Sequence, residues 1–92
     1  MTRILLVDDH PLLRQGIAMT LDAEPDFEVA GQASDAEEAL ATFDAVAPDL
    51  VVTDISLPGM NGLELMKNLL ALHPDLPVLV GLRLHVLLPP PA

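Results

Sequence analysis

At 92 residues the chain has room for one small domain, and a hydrophobic share of 51% places it among globular rather than disordered chains. Its net charge is −10, with only Arg3, Arg14, Lys67 and Arg83 positive and neither Tyr nor Trp present, which argues against direct nucleic-acid binding by this segment. Without cysteine, disulfides, thiolate chemistry and cysteine-based zinc sites are excluded.

Met1-Thr2-Arg3 leads straight into the apolar run Ile4-Leu5-Leu6-Val7, without the long apolar core of a signal peptide. Such a continuous run fits a strand covered on both faces. It ends in Asp8-Asp9-His10, and Pro11 suits the first turn of a helix, where its missing N–H would be unpaired anyway. Leu12, Leu13, Ile17, Met19 and Leu21 supply that helix's apolar pattern, which closes near Glu24-Pro25. Phe27 to Ala33 alternates, as a half-exposed edge strand does. Ser34-Asp35-Ala36-Glu37 matches a capping box, with Ser34 and Glu37 reciprocally satisfying orphan N–H groups. The second helix carries Ala36, Leu40, Phe43 and Val46 or Ala47 on one face and stops at Pro48.

Leu50-Val51-Val52-Thr53-Asp54 reads as the next buried strand. A turn rich in Pro and Gly follows, Ile55-Ser56-Leu57-Pro58-Gly59-Met60, and a third helix runs from about Asn61 to His73 with Leu63, Met66 and Leu69 or Leu70 inward. Leu76 to Val80 reads as a fourth strand. The alternation β-α-β-α-β-α-β with short connections argues for an α/β fold with a parallel sheet and helices on both faces. The stretch from Leu76 to Leu88 is broken by Pro77, Gly81, Arg83 and His85 and is too short to span a bilayer, so the expectation is a soluble cytoplasmic domain with no membrane partner. Residues 81–92 fit no earlier pattern. Leu82, Leu84 and Val86 alternate with Arg83 and His85 as a strand extension would, and Pro89-Pro90-Pro91 suits a disordered polyproline-II end.

In an open α/β sheet, chemistry collects beyond the carboxyl ends of the strands. Asp8 and Asp9 end one strand and Asp54 another, so neighbouring placement of the two strands would converge three carboxylates on one pocket. Such groups repel one another unless a cation is present. Mg²⁺ is the natural one, because it takes few carboxylates and keeps water and phosphate oxygens as its other ligands. An aspartate beside bound Mg²⁺ is a competent nucleophile toward phosphorus. Capping of the following helix is the plainer reading of Asp8 and Asp9 taken alone. His10, His73 and His85 share no metal-ligand spacing; His10 adjoins the acidic pair within reach of the site, with helix capping or solvent exposure the plainer reading, and a helix C-terminus accounts for His73.

These residues carry a resemblance. Ile4-Leu5-Leu6-Val7-Asp8-Asp9-His10-Pro11 with Arg14 and Gly16, Pro48-Asp49-Leu50-Val51-Val52-Thr53-Asp54, Ile55-Ser56-Leu57-Pro58-Gly59-Met60-Asn61-Gly62 and Pro77-Val78-Leu79-Val80 together resemble the receiver domain of bacterial two-component response regulators. The likeness is greatest to the subgroup whose complete members carry a C-terminal helix-turn-helix DNA-binding domain. It implies a flavodoxin-like doubly wound sheet in the order 2-1-3-4, with the fourth helix, fifth strand and fifth helix missing, so that residues 1–80 form a truncated receiver domain and 81–92 an atypical tail. It further implies that Asp54 is the phosphoacceptor for a sensor histidine kinase, with no standalone enzyme activity. The Mg²⁺ ligands would be Asp9 directly, Asp8 through water, Asp54 and the backbone carbonyl of Ser56.

The resemblance ends after Val80. A receiver carries Ser or Thr at the end of its fourth strand, where the aligned Leu82 has no hydroxyl, and a Lys at the end of a fifth strand, which has no counterpart here. The alternative function is therefore a phosphorylation-impaired pseudo-receiver that acts through association alone. Exposure of the fourth strand's edge would favour homodimers or higher self-association through paired Val78 to Val86 segments. An aspartyl phosphohydrolase would want a second acid two residues after the nucleophile, where Ser56 stands, and no G-x-G-x-x-G follows the first strand for a dinucleotide.

Overall fold

The computed structural model describes residues 1–81. Four strands, β1 (Thr2–Val7), β2 (Phe27–Ala33), β3 (Leu50–Thr53) and β4 (Val78–Val80), alternate with three helices, α1 (Pro11–Asp22), α2 (Ala36–Val46) and α3 (Gly62–Leu72). The strands form one parallel sheet in the order β2-β1-β3-β4. This is the flavodoxin-like order, with β1 and β3 central and β2 an edge. The expected strand extension and disordered tail over 82–92 lie outside the described residues, as does Leu82.

The apolar run of β1 is continuous because both of its faces are buried. Leu5 and Val7 point with Val51 toward Ala36, Ala39 and Phe43 of α2 and Leu65 and Leu69 of α3. Ile4 and Leu6 point with Val52 toward Leu13, Ile17, Ala18 and Leu21 of α1. One helix on one face and two on the other make the sheet doubly wound. Among the described residues no helix is long and apolar enough to cross a membrane.

Several expectations are corrected. The helix α2 is capped one residue later than the Ser34 and Glu37 box. Asp35 is the N-cap, its Oδ1 accepting from the Glu38 amide at 2.7 Å, while Glu38 Oε1 accepts from the Ser34 amide at 3.0 Å. The Asp-x-x-Glu spacing serves as well as Ser-x-x-Glu, and the extended backbone of Asp35 makes it the last residue before the helix. Ala39, fully buried, joins Ala36 and Phe43 on the inner face, with Leu40 and Val46 only partly buried. Ala47 is not a packing residue: it closes the helix in the left-handed region at φ 49°.

In α1, Leu12 and Met19 face solvent at 85% and 69% exposure, and Leu13, Ile17, Ala18 and Leu21 face the sheet. In α3, Leu63 is exposed and Leu65 is fully buried. The reason is the helix's first residue. Gly62 packs against the Asp54–Ile55 backbone and donates its N–H to the Ile55 carbonyl at 2.8 Å. That contact sets the helical phase so that 62, 65 and 69 share the inner face. The fourth strand is shorter than Leu76 to Val80, covering Val78 to Val80.

Candidate functional site

The site stands at the carboxyl edge of β1 and β3. From β1 the chain passes to β2 on one side and later returns to β3 on the other, so these two strands flank the switch point where α/β sheets open a crevice. Val7 pairs with Thr53 in parallel register, which puts Asp8 and Asp54 one residue past the last rung on adjacent strands. The Asp54 amide donates to the Val7 carbonyl at 3.0 Å, and the Asp8 amide to the Ala33 carbonyl at 3.0 Å. Backbone bonds to neighbouring strands thus hold both residues.

Asp8 is 2% exposed and Asp54 8%, both far more buried than an ordinary carboxylate. Asp8 Oδ1 accepts from the His10 amide at 2.7 Å, and Asp54 Oδ1 from the Ile55 amide at 2.9 Å. This bond does not cap α1: the His10 N–H belongs to the N-cap residue rather than to the helix's first turn. The ligand-type atoms of Asp8, Asp9 and His10 lie within 4.8 Å of one another, with Asp9 half-buried. His10 does not cap through its ring. The side chain is 61% exposed, with Nδ1 at 3.0 Å from Asp9 Oδ1 and 3.8 Å from Asp8 Oδ1. His73, expected at a helix end, caps α3 and stacks on Phe43 with ring centroids 4.5 Å apart.

Ser56 lies exposed at the start of the β3–α3 loop, two residues beyond Asp54. The loop is shaped by Gly59, at φ +76°, and by Gly62. Thr53, fully buried, turns its hydroxyl to the Asp54 carbonyl at 3.0 Å. Arg14 was not among the site residues read from the sequence. Arg14 reaches back from α1, donating through Nη1 to the Asp8 carbonyl at 2.8 Å and through Nε to Gln32 Oε1 at 3.1 Å. The available signal was its place one helical turn after the acidic pair, in a chain with only four Lys and Arg. The donor set is hard: carboxylate oxygens at a strand-end crevice suit a small oxygen-seeking dication rather than a thiophilic one.

The model of the response regulator receiver domain matches residues 4–81. The chain belongs to this family. Among relatives, the DNA-binding transcriptional activator DevR/DosR of Mycobacterium tuberculosis is 42% identical over 80 residues, which are 87% of this chain and 37% of that protein. The nitrate/nitrite response regulator protein NarL of Escherichia coli K12 is 44% identical over 66 residues, 72% of this chain and 31% of that protein. The chain thus spans about a third of the length of these relatives. A LuxR-family two-component response regulator from Aurantimonas superposes with a TM-score of 0.82 at 35% identity, covering 87% of this chain and 57% of that one. The response regulator domain of Thermotoga maritima CheB does so with 0.78 at 31% identity, covering 87% and 59%. The receiver fold and the family's place in two-component systems are therefore shared by residues 4–81.

Proposed function

We propose that this receiver domain accepts a phosphoryl group on Asp54 from a sensor histidine kinase, with Mg²⁺ held by Asp8, Asp9, Asp54 and the Ser56 carbonyl. The observation that supports this reading is the β1–β3 register, which sets an acidic pair and a third carboxylate at one sheet edge. A carboxylate oxygen of Asp54 attacks phosphorus and forms a P–O bond. The P–N bond to the donor imidazole breaks, and its electron pair stays on the ring nitrogen, giving an acyl phosphate on Asp54. Mg²⁺, when bound, offsets the negative charge of the transferring oxygens. This chain's residues hold the acceptor still: the Asp54 amide donates to the Val7 carbonyl and fixes its backbone, the Ile55 amide donates to Asp54 Oδ1 and fixes one oxygen, and Asp8 lies beside it at the end of the neighbouring strand. Within a longer protein built like the relatives, phosphorylation would govern transcription through a separate DNA-binding domain.

The test is incubation with acetyl phosphate and Mg²⁺, read by intact mass. A gain of one phosphoryl group that disappears in Asp54→Asn and on chelation supports the proposal. No gain in the wild-type chain overturns it.

One observation favours a second reading. Leu82 stands where a receiver carries its hydroxyl, which favours a pseudo-receiver that works through association rather than phosphoryl transfer. Among the described residues β4 pairs only with β3, and its Leu79 is 44% exposed. This supports self-association along the β4 edge. Light scattering at tens of micromolar tests that point, and a monodisperse monomer overturns it.

A further inference from the structure

The loop from Asp8 to His10 joins β1 to α1 and carries both members of the acidic pair. Its backbone is tied down at one end by the sheet, where the Asp8 amide donates to Ala33. The Asp8 carbonyl points the other way and is met by the Arg14 guanidinium at 2.8 Å. Arg14 is in turn oriented by Gln32 of β2, whose Oε1 accepts from Nε at 3.1 Å. A guanidinium is planar and forked, so two acceptors set at fixed angles hold it in one orientation. The peptide between Asp8 and Asp9 is thereby strapped to both α1 and β2. Rotation of that peptide would swing the two carboxylates relative to each other.

From this geometry we infer that Arg14 is a positioning residue for the acidic pocket: it fixes the Asp8–Asp9 peptide, and through it the carboxylates that hold the metal. Gln32 is the anchor of the strap. The inference rests on the reading of Asp8 and Asp9 as Mg²⁺ ligands. It makes a prediction opposite in sign to simple electrostatics. Removing a cation from beside a carboxylate pocket should tighten a dication by Coulomb's law. Removing a group that orients the ligands should loosen it, by about tenfold when such a partner is lost.

The experiment follows amide NMR shifts of Asp9, His10 and Ile55 during Mg²⁺ titration of the full chain. Wild type is compared with Arg14→Ala, Arg14→Lys and Gln32→Ala, each checked for folding by far-UV circular dichroism. The expected result is an apparent Mg²⁺ dissociation constant about tenfold higher for Arg14→Ala, higher also for Arg14→Lys despite its retained charge, and higher by a smaller factor for Gln32→Ala. Should Arg14→Ala fail to fold, Arg14→Lys and Gln32→Ala carry the decision. Unchanged or tighter Mg²⁺ binding in the folded Arg14 and Gln32 variants overturns the strap while leaving the metal site intact. Absence of saturable binding in the wild-type chain overturns the metal reading and the strap together.

Discussion

Replacing Gly62 by Ala puts a single methyl group where α3 meets the acceptor strand. An added Cβ would collide with the Asp54 carbonyl oxygen and stand 3.0 Å from its carbonyl carbon and 3.2 Å from Ile55 Cα. All of these are backbone atoms, so none can swing aside as the tip of a side chain would. Overpacking of this kind costs about 1–3 kcal/mol, and backbone obstruction puts the present case at the upper end. Alanine's lower unfolded-chain entropy returns about 0.4–1 kcal/mol, leaving a net loss of about 2 kcal/mol. For a domain of this size that lowers Tm by roughly 8–15 °C. Gly16 supplies the control. It lies in the middle of α1 with no heavy atom within 4 Å of an added Cβ. There the same substitution should stabilise by about 0.5–1 kcal/mol. The assay is thermal unfolding by far-UV circular dichroism on the two variants and the wild type. A Gly62→Ala chain that melts at or above the wild-type temperature would refute the account of how α3 is phased and how Asp54 is held.

Other substitutions check separate parts of the fold. Asp35→Ala should lose about 1 kcal/mol in urea unfolding, whereas Ser34→Ala should stay within about 0.5 kcal/mol, because Asp35 is the side chain that caps α2 and Ser34 contributes only its amide. Leu65→Ala should lose about 2–5 kcal/mol by cavity formation, and the exposed Leu63→Ala much less, a contrast read from the same titration. Arg3 donates to the Val46 carbonyl at 2.7 Å and pairs only loosely with Glu28 at 3.4 Å across half-exposed side chains. Arg3→Ala should therefore lose about 1–2 kcal/mol and Glu28→Gln less than about 0.5 kcal/mol, as judged from their Tm values.

The errors in reading the sequence share one cause. Periodicity gives a helix a face but not its rotation. Leu63 and Leu65 are equally apolar, and nothing local to α3 says which is buried; the contact between Gly62 and the Asp54–Ile55 peptide decides it. Leu12 and Leu13 are adjacent, and only the position of the sheet turns Leu13 inward. The cap of α2 slipped by one because Ser34 and Asp35 are both good caps followed by Glu three residues later. Arg14 was visible as one of few cations, but its carbonyl acceptor is a backbone atom and its anchor Gln32 stands 18 positions away, a pairing that no local pattern encodes.

Local physics carried the element order, because short apolar runs rich in Val and Ile that end in Asp fit buried strands, and prolines at 11, 25, 48 and 74 mark the helix boundaries. The apolar runs likewise placed Asp8 and Asp54 directly after strands, which end at Val7 and Thr53. The residues by themselves left open whether these strand ends are neighbours, which the resemblance implied and the tertiary structure shows. Val7 lies opposite Thr53 because β1 and β3 pair at the centre of a doubly wound sheet. That adjacency depends on long-range hydrogen bonds and on covering both faces at once, and it brings Asp8 and Asp54 to neighbouring strand ends, a placement that no window of the chain contains.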